Sequence, residues 1–187
     1  MKKVLVLLSL IILFICNTTS ANAANIGWEN PARLKTYIPP ENKYTPLMKQ
    51  AFAKWTQATG GKIVFAYVKN PAEAQIKVRF VKDAEETSKL KNALGVTHTK
   101  YIQNCQNNVC TVNLYHADID IANNAPNGGA LLKDAVFRVM VHEIGHSIGL
   151  LEHSQNPLSI MYDTKKSRNA TITKEDLKDL YKLYGWE

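Results

Sequence analysis

His142-Glu143-Ile144-Gly145-His146 is an HExxH stretch, and Gly149 and His153 follow it closely. On an α-helix, residues four apart lie about 6 Å apart along the axis and about 40° around it, so His142 and His146 can aim two imidazoles at one ion. Glu143 stands about 100° away. That offset keeps its carboxylate out of the coordination shell but beside a metal-held water, which is the position of a general base. Gly149 can end the helix with a positive φ and fold the chain back, and His153 is the candidate third ligand from beyond the bend. Three neutral imidazoles leave one tetrahedral corner for water, which suits a catalytic zinc rather than a closed structural one. HExxH alone also arises by chance on helices. Gly149, His153 and Ser159-Ile160-Met161-Tyr162 together tilt the reading to chemistry.

With these residues the segment resembles the metzincin metalloproteases, and most of all their matrixin branch, whose pattern is HExxHxxGxxH followed by a methionine in a tight turn. The resemblance implies a secreted zinc endopeptidase acting on protein or peptide substrates through a zinc-activated water, with Glu143 as general base and Met161 as the methionine beneath the metal. One departure matters. The family's third histidine stands three residues after the glycine, where this chain has Glu152, and His153 comes one later. Either the bend holds one more residue and His153 reaches the metal, or Glu152 binds through oxygen. His153 is favoured, because His153-Ser154 and Ile160-Met161-Tyr162 continue in the family manner. The family's specificity pocket is lined by residues after the third histidine, which implies Leu158 to Thr164 here. Three other classes compete: a catalytically silent zinc-binding effector or interaction module of the same fold, a different zinc hydrolase such as a deformylase or cell-wall amidase, and a toxin-like secreted protease with one dedicated target, which differs in substrate and not in chemistry. The intact Glu143 speaks against the first, and the glycine, third histidine and methionine turn against the second.

Holding such a site requires a scaffold, and the rest of the chain reads as one. Arg33 to Ile38 is a short predicted strand ended by Pro39-Pro40. Thr45 caps a predicted helix with Pro46 at its first position, Met48, Phe52 and Trp55 form its buried stripe, and Gly60-Gly61 stops it. Ile63 to Val68 is the next strand, and Ile76, Val78 and Phe80 alternate with Lys77 and Arg79 in another. Val96 to Gln103 and Val109 to Ile121 read as a hairpin around Asn104 to Asn108. After a turn-rich loop at Asn123 to Gly129, Leu131 to Leu150 forms the metal-binding helix, with Val136, Val139, Met140, Ile144 and Ile148 available for the core. Thr173 with Asp176 is a capping signal before Leu177, Leu180, Tyr181 and Tyr184, closed by Gly185.

The expected fold is α+β with an α/β-type N-terminal half in a single domain: a metzincin-like, twisted mixed sheet of about five strands with three helices. Ala51 to Trp55, Ala74 to Phe80 and the last helix also resemble matrixin segments, so the likeness covers nearly the whole mature chain. It further implies that Val96 to Gln103 lies at the sheet edge, where an extended substrate backbone can pair with it.

Lys2 and Lys3 before the apolar run Val4 to Ile15, with Ala21-Asn22-Ala23 after it, read as a secretory signal peptide over residues 1–23. The run is too short to span a bilayer, so no stable membrane insertion is expected. The catalytic domain is residues 24–187, a size that suits one core, placed outside the cytosol (extracellular or periplasmic) as a monomer. No matrixin-like pro-segment is apparent before it.

The formal net charge of +7 falls to +5 without Lys2 and Lys3, and the scattered lysines form no aromatic-interleaved basic patch, so nucleic acid is not an expected partner. Cys16 leaves with the signal, while Cys105 and Cys110 are an even pair for a local disulfide in an oxidising compartment. His98 and His116 read as surface strand residues before they read as ligands of a second, structural metal, and Asp118 and Asp120 as solvated strand positions. Asn169-Ala170-Thr171 is a sequon.

Overall fold

Short apolar alternations bounded by prolines and glycines become strands, and longer stripes become helices. The computed structural model describes residues 26–82, 84, 92–106, 109–125, 128–163 and 170–186, without the side chains of residues 26, 104–106 and 109–111. The strands are β1 (Ile26–Trp28), β2 (Leu34–Tyr37), β3 (Phe65–Tyr67), β4 (Ile76–Val81), β5 (Gly95–Gln106) and β6 (Val109–Ala122). The helices are α1 (Thr45–Ala58), α2 (Lys133–Ser147) and α3 (Lys174–Tyr184). The mixed α+β composition agrees with expectation. The sheet has six strands rather than about five, because the three residues of β1 pair in parallel with Val112 to Leu114 of β6.

The strand order is β1-β6-β4-β2-β3, with β5 antiparallel along the other edge of β6. β1 and β4 share one edge of β6 end to end, pairing with 112–114 and 117–122 respectively. Among the described strands β5 therefore pairs with β6 alone, and its outer edge is free.

Alternation sets two faces. Ile76, Val78, Ile119 and Ile121 are fully buried and join one core with Phe52 and Trp55 of α1 and Met140 and Ile144 of α2. Gly95 and Thr97 share that inner face through their register with Ile121 and Ile119.

The outer face corrects one expectation. Asp120 is not solvated but fully buried, gripped in a two-point salt bridge by Arg79, its register partner on β4, at 2.6 and 2.9 Å. Such a fork lets a buried carboxylate keep its charge, and the Asp120 hydrogen bond raises the Arg79 pKa further. Two residues on from the pair, Ala122 joins Ala84 and Ala93 in a small buried apolar cluster against Val81.

Helix signals hold with two shifts: α2 runs Lys133–Ser147, shorter at both ends than the expected Leu131 to Leu150, and the cap of α1 moves by one residue. Thr173 and Asp176 make the reciprocal capping box, and Gly185 ends α3 in the left-handed region at φ 64°. Thr45 does not cap α1: Tyr44 takes the cap position, its N–H given to Asn42 Oδ1 at 2.9 Å, and the Thr45 hydroxyl donates to the Pro39 carbonyl. Among the described residues no helix is long and apolar enough to cross a membrane.

The expected signal peptide, the hairpin tip at 107–108, residues 126–127 of the turn-rich loop, Thr164 and Asn169 lie outside the described residues. Cys105 and Cys110 face each other in the β5–β6 register, with their side chains outside the described set.

Candidate active site

Helix α2 is held at its flanks before it holds anything. Trp55 of α1 donates its indole N–H to the Val141 carbonyl at 2.8 Å. At the helix end, where carbonyls lose their intrahelical partners, Trp28 donates its indole N–H to Ser147 at 2.8 Å and Tyr184 its hydroxyl to Ile148 at 2.9 Å. Gly145 lets the helix floor approach closely: a Cβ there would run into Met161 Sδ and come within 3.1 Å of Trp55 Cζ2. Past Ile148 the chain turns at Gly149, whose φ of 109° is a conformation L residues resist.

His142 and His146 project from α2 and His153 returns from beyond the bend. The Nδ1 of His142 lies 2.7 Å from the Ile160 carbonyl, and that of His146 lies 2.7 Å from the Leu150 carbonyl. A carbonyl can only accept, so both neutral rings carry their proton on Nδ1 and present a lone pair at Nε2. The His142 Nε2 sits 3.0 Å from that of His146 and 3.2 Å from that of His153. The ligand atoms of all three lie within 4.8 Å of one another.

Converging lone pairs repel unless a cation lies between them. A tetrahedral zinc with Zn–N near 2.0–2.1 Å would separate its nitrogens by about 3.3–3.4 Å, and the 3.0 and 3.2 Å separations about His142 lie close to that value. Burial, with the His146 charge next, pushes His142 down to about 3, while burial pushes His146 down to about 4. Both therefore stay neutral, as metal ligation requires.

Glu143 is buried beside them and faces a cleft of about 610 Å³ between α2 and β5, with Arg138 and Val139 on the helix wall and Gly95 and Thr97 on the strand wall. Burial pushes its carboxyl up to about 7, against the pull of a Thr97 hydrogen bond. Met161 lies under Gly145 in a turn that is itself fixed. Its N–H goes to Ser159 Oγ at 2.9 Å, and the Ser159 hydroxyl donates to the Asp176 carboxylate of the α3 capping box. The turn's Ile160 carbonyl is the one that orients His142, so α3 reaches that imidazole through two hydrogen-bonded steps.

The structure thus brings together His142, Glu143, His146, His153 and Met161, and it leaves Glu152 exposed and outside the three-imidazole group. From the Leu158 to Thr164 stretch, Asp163 lines the cleft, while Leu158 is 61% exposed and does not. His98 is exposed and His116 sits 3.3 Å from Asp118, and neither enters a group of three possible ligands among the described residues. Sequence reasoning missed Thr97, Trp28 and the Ser159–Asp176 link. Only the link left a trace, in the capping signal of Thr173 and Asp176.

Fold and site together define a mixed α+β protein in which two helix-borne imidazoles and a third from beyond the bend form a group that could hold a metal ion, opening on a sheet-edge cleft. Comparison with known proteins supplies the lineage: the matrixin family model matches residues 32–185, and the chain belongs to that family. It is 32% identical to human matrix metalloproteinase-26 over 139 residues, covering 72% of this chain and 49% of that protein. Human matrix metalloproteinase-15 is 45% identical over 53 residues, 27% of this chain and 8% of that protein. Rat matrilysin is 46% identical over 50 residues, 25% of this chain and 18% of that protein. The chain thus spans at most about half the length of these relatives.

Proposed function

We propose that this chain is a secreted zinc-dependent endopeptidase, with His142, His146 and His153 as the metal ligands and Glu143 as the general base. The observation that carries this reading is the convergence of three imidazole Nε2 atoms beside a buried carboxylate borne on the same helix as two of them, facing the cleft. When bound there, zinc supplies Lewis acidity to the scissile carbonyl and to a water.

The chain's own groups do the rest. The Ile160 and Leu150 carbonyls fix the tautomers of His142 and His146, so both rings are ready to ligate without rearrangement. Glu143 accepts the proton of the attacking water on its carboxylate and returns it to the departing amine nitrogen, so no covalent intermediate with the protein forms. Its carboxyl, held near neutrality by burial, is suited to both transfers. An extended substrate lies along the free outer edge of β5, its backbone hydrogen-bonded there, with side chains entering the cleft. Met161 shapes the floor and does not ligate. Residues 1–23 direct export, and the mature chain acts as a monomer on protein or peptide substrates.

The test is Glu143→Ala in the zinc-loaded chain. Metal content should stay stoichiometric while peptide hydrolysis falls by about 10²- to 10⁴-fold. Undiminished cleavage would remove Glu143 as base, and a zinc-loaded parent that cleaves neither casein nor gelatin nor a peptide library would turn the site into a silent binding module.

A further inference from the structure

We propose that Thr97 is a positioning residue for Glu143, and that strand β5 holds the base through its side chains while its outer edge receives substrate. The catalytic consequence rests on the peptidase reading above; the contact rests on geometry alone. Thr97 Oγ1 lies 2.7 Å from Glu143 Oε2 and 2.9 Å from the Glu143 backbone carbonyl. A hydroxyl has one hydrogen, and the nearer and charged acceptor takes it. Among the described residues Thr97 is the hydrogen-bond partner of this buried carboxylate.

Gly95, two residues earlier on the same face of β5, completes the cradle. A Cβ at Gly95 would come within 2.8 Å of Glu143 Cγ, 3.1 Å of Glu143 Oε1 and 2.6 Å of Val139 Cγ1, so the glycine leaves the space the glutamate stem occupies. Glutamate has three side-chain torsions to fix. The strand fixes the stem by shape at Gly95 and the carboxylate by a directed bond at Thr97, whose β-branched side chain has a stiff first torsion.

Because the outer edge of β5 is free among the described strands, one backbone sets both the height of a docked peptide and the aim of the base. General-base catalysis is steep in that geometry, since the carboxylate must stay within hydrogen-bond reach of the proton it takes. A packing role alone would be served equally by valine, which has the same shape and a strong strand preference.

The experiment compares Thr97→Val and Thr97→Ser in the zinc-loaded full chain with a quenched peptide substrate. T97V should lower kcat about 10- to 100-fold with bound zinc unchanged, and KM should move by less than about threefold. T97S, which keeps the hydroxyl, should recover kcat to within about threefold of the parent. A T97V kcat within about threefold of the parent, or a loss in T97S as large as in T97V, overturns the proposal.

A second readout needs no activity. In urea unfolding of the metal-free chain, T97V should lower the midpoint more in the parent than in a Glu143→Ala background, because the hydroxyl loses its partner in the latter. Equal shifts in the two backgrounds overturn the contact. Should the parent cleave no peptide, the peptidase reading fails by itself, and this cycle still decides whether Thr97 holds Glu143.

Discussion

His142 and His146 differ from His153 in everything except the point they face. The helix pair is rooted in α2, largely buried, and locked by carbonyls at 2.7 Å on each Nδ1. His153 is exposed, sits in irregular chain beyond the bend, and has no such carbonyl among the described residues. The pair is therefore set by the core, whereas the proposed third ligand is set by the turn that delivers it. A site built this way has two preorganised donors and one closing donor, so its two halves should fail differently when damaged.

The largest separation should come from removing one donor of each kind. His142→Ala takes away a buried, oriented imidazole, and on the proposed reading zinc should no longer copurify or be retained in dialysis at micromolar concentration. In the parent, chelation should lower the unfolding midpoint, because a ligand bound only to the folded state stabilises it by mass action; in H142A the chelator should change nothing. His153→Ala leaves the helix pair standing and should weaken zinc binding while keeping a measurable, chelator-sensitive shift. Glu152→Ala, one residue away, should leave affinity unchanged, since that side chain is exposed and outside the group. If E152A and H153A exchanged these outcomes, the extra residue in the bend would be delivering a carboxylate instead.

The pair was legible in the sequence for the same reason that it is rigid. Four-residue spacing on a helix is a local rule, and Val136, Val139, Met140 and Ile144 beside it made the buried face readable as well. The capping box at Thr173 and Asp176 is equally local. What escaped is non-local. Thr97 and Glu143 are 46 residues apart and meet only because the register of β5 on β6 turns Thr97 to the inner face.

The same limit explains two other differences. β1 has three residues, too few for any period to show, and its partner Val112 to Leu114 is far along the chain. Asp120 followed the alternation of a solvated strand face, but the alternation reports a face and not what covers it. Ala84, Ala93 and Ala122 are themselves buried in a cluster with Val81 at that end of the sheet, and Arg79 supplies the charge that makes burial of Asp120 tolerable.

A smaller effect should sharpen the contrast at the bend itself. Gly149 has φ 109°, and Gly149→Ala forces a Cβ into that conformation at a cost of about 1–3 kcal/mol. The bend leads from the helix pair to His153, so the variant should lower the unfolding midpoint and weaken zinc binding together. Isothermal titration with zinc beside urea unfolding reads both. A normal zinc affinity in G149A would mean that the loop reaches His153's position without help from this turn.

The smallest effect should fall on the rooted side only. Trp28 reaches α2 from β1, and its indole N–H meets the Ser147 carbonyl one residue past His146. Trp28→Phe keeps most of the ring in the core and removes that donor, leaving a buried helix-end carbonyl short of a partner for a loss of about 1 kcal/mol. His146 is separately held by Leu150 and packed within α2, and the bond at Ser147 lies on the far side of it from His142. Stability should therefore drop slightly while zinc affinity stays at the parent value, the reverse coupling to that expected for G149A. A zinc affinity that fell in W28F as far as in G149A would show that the end of α2 and the bend move as one unit, and the division between fixed pair and closing ligand would have to be redrawn there.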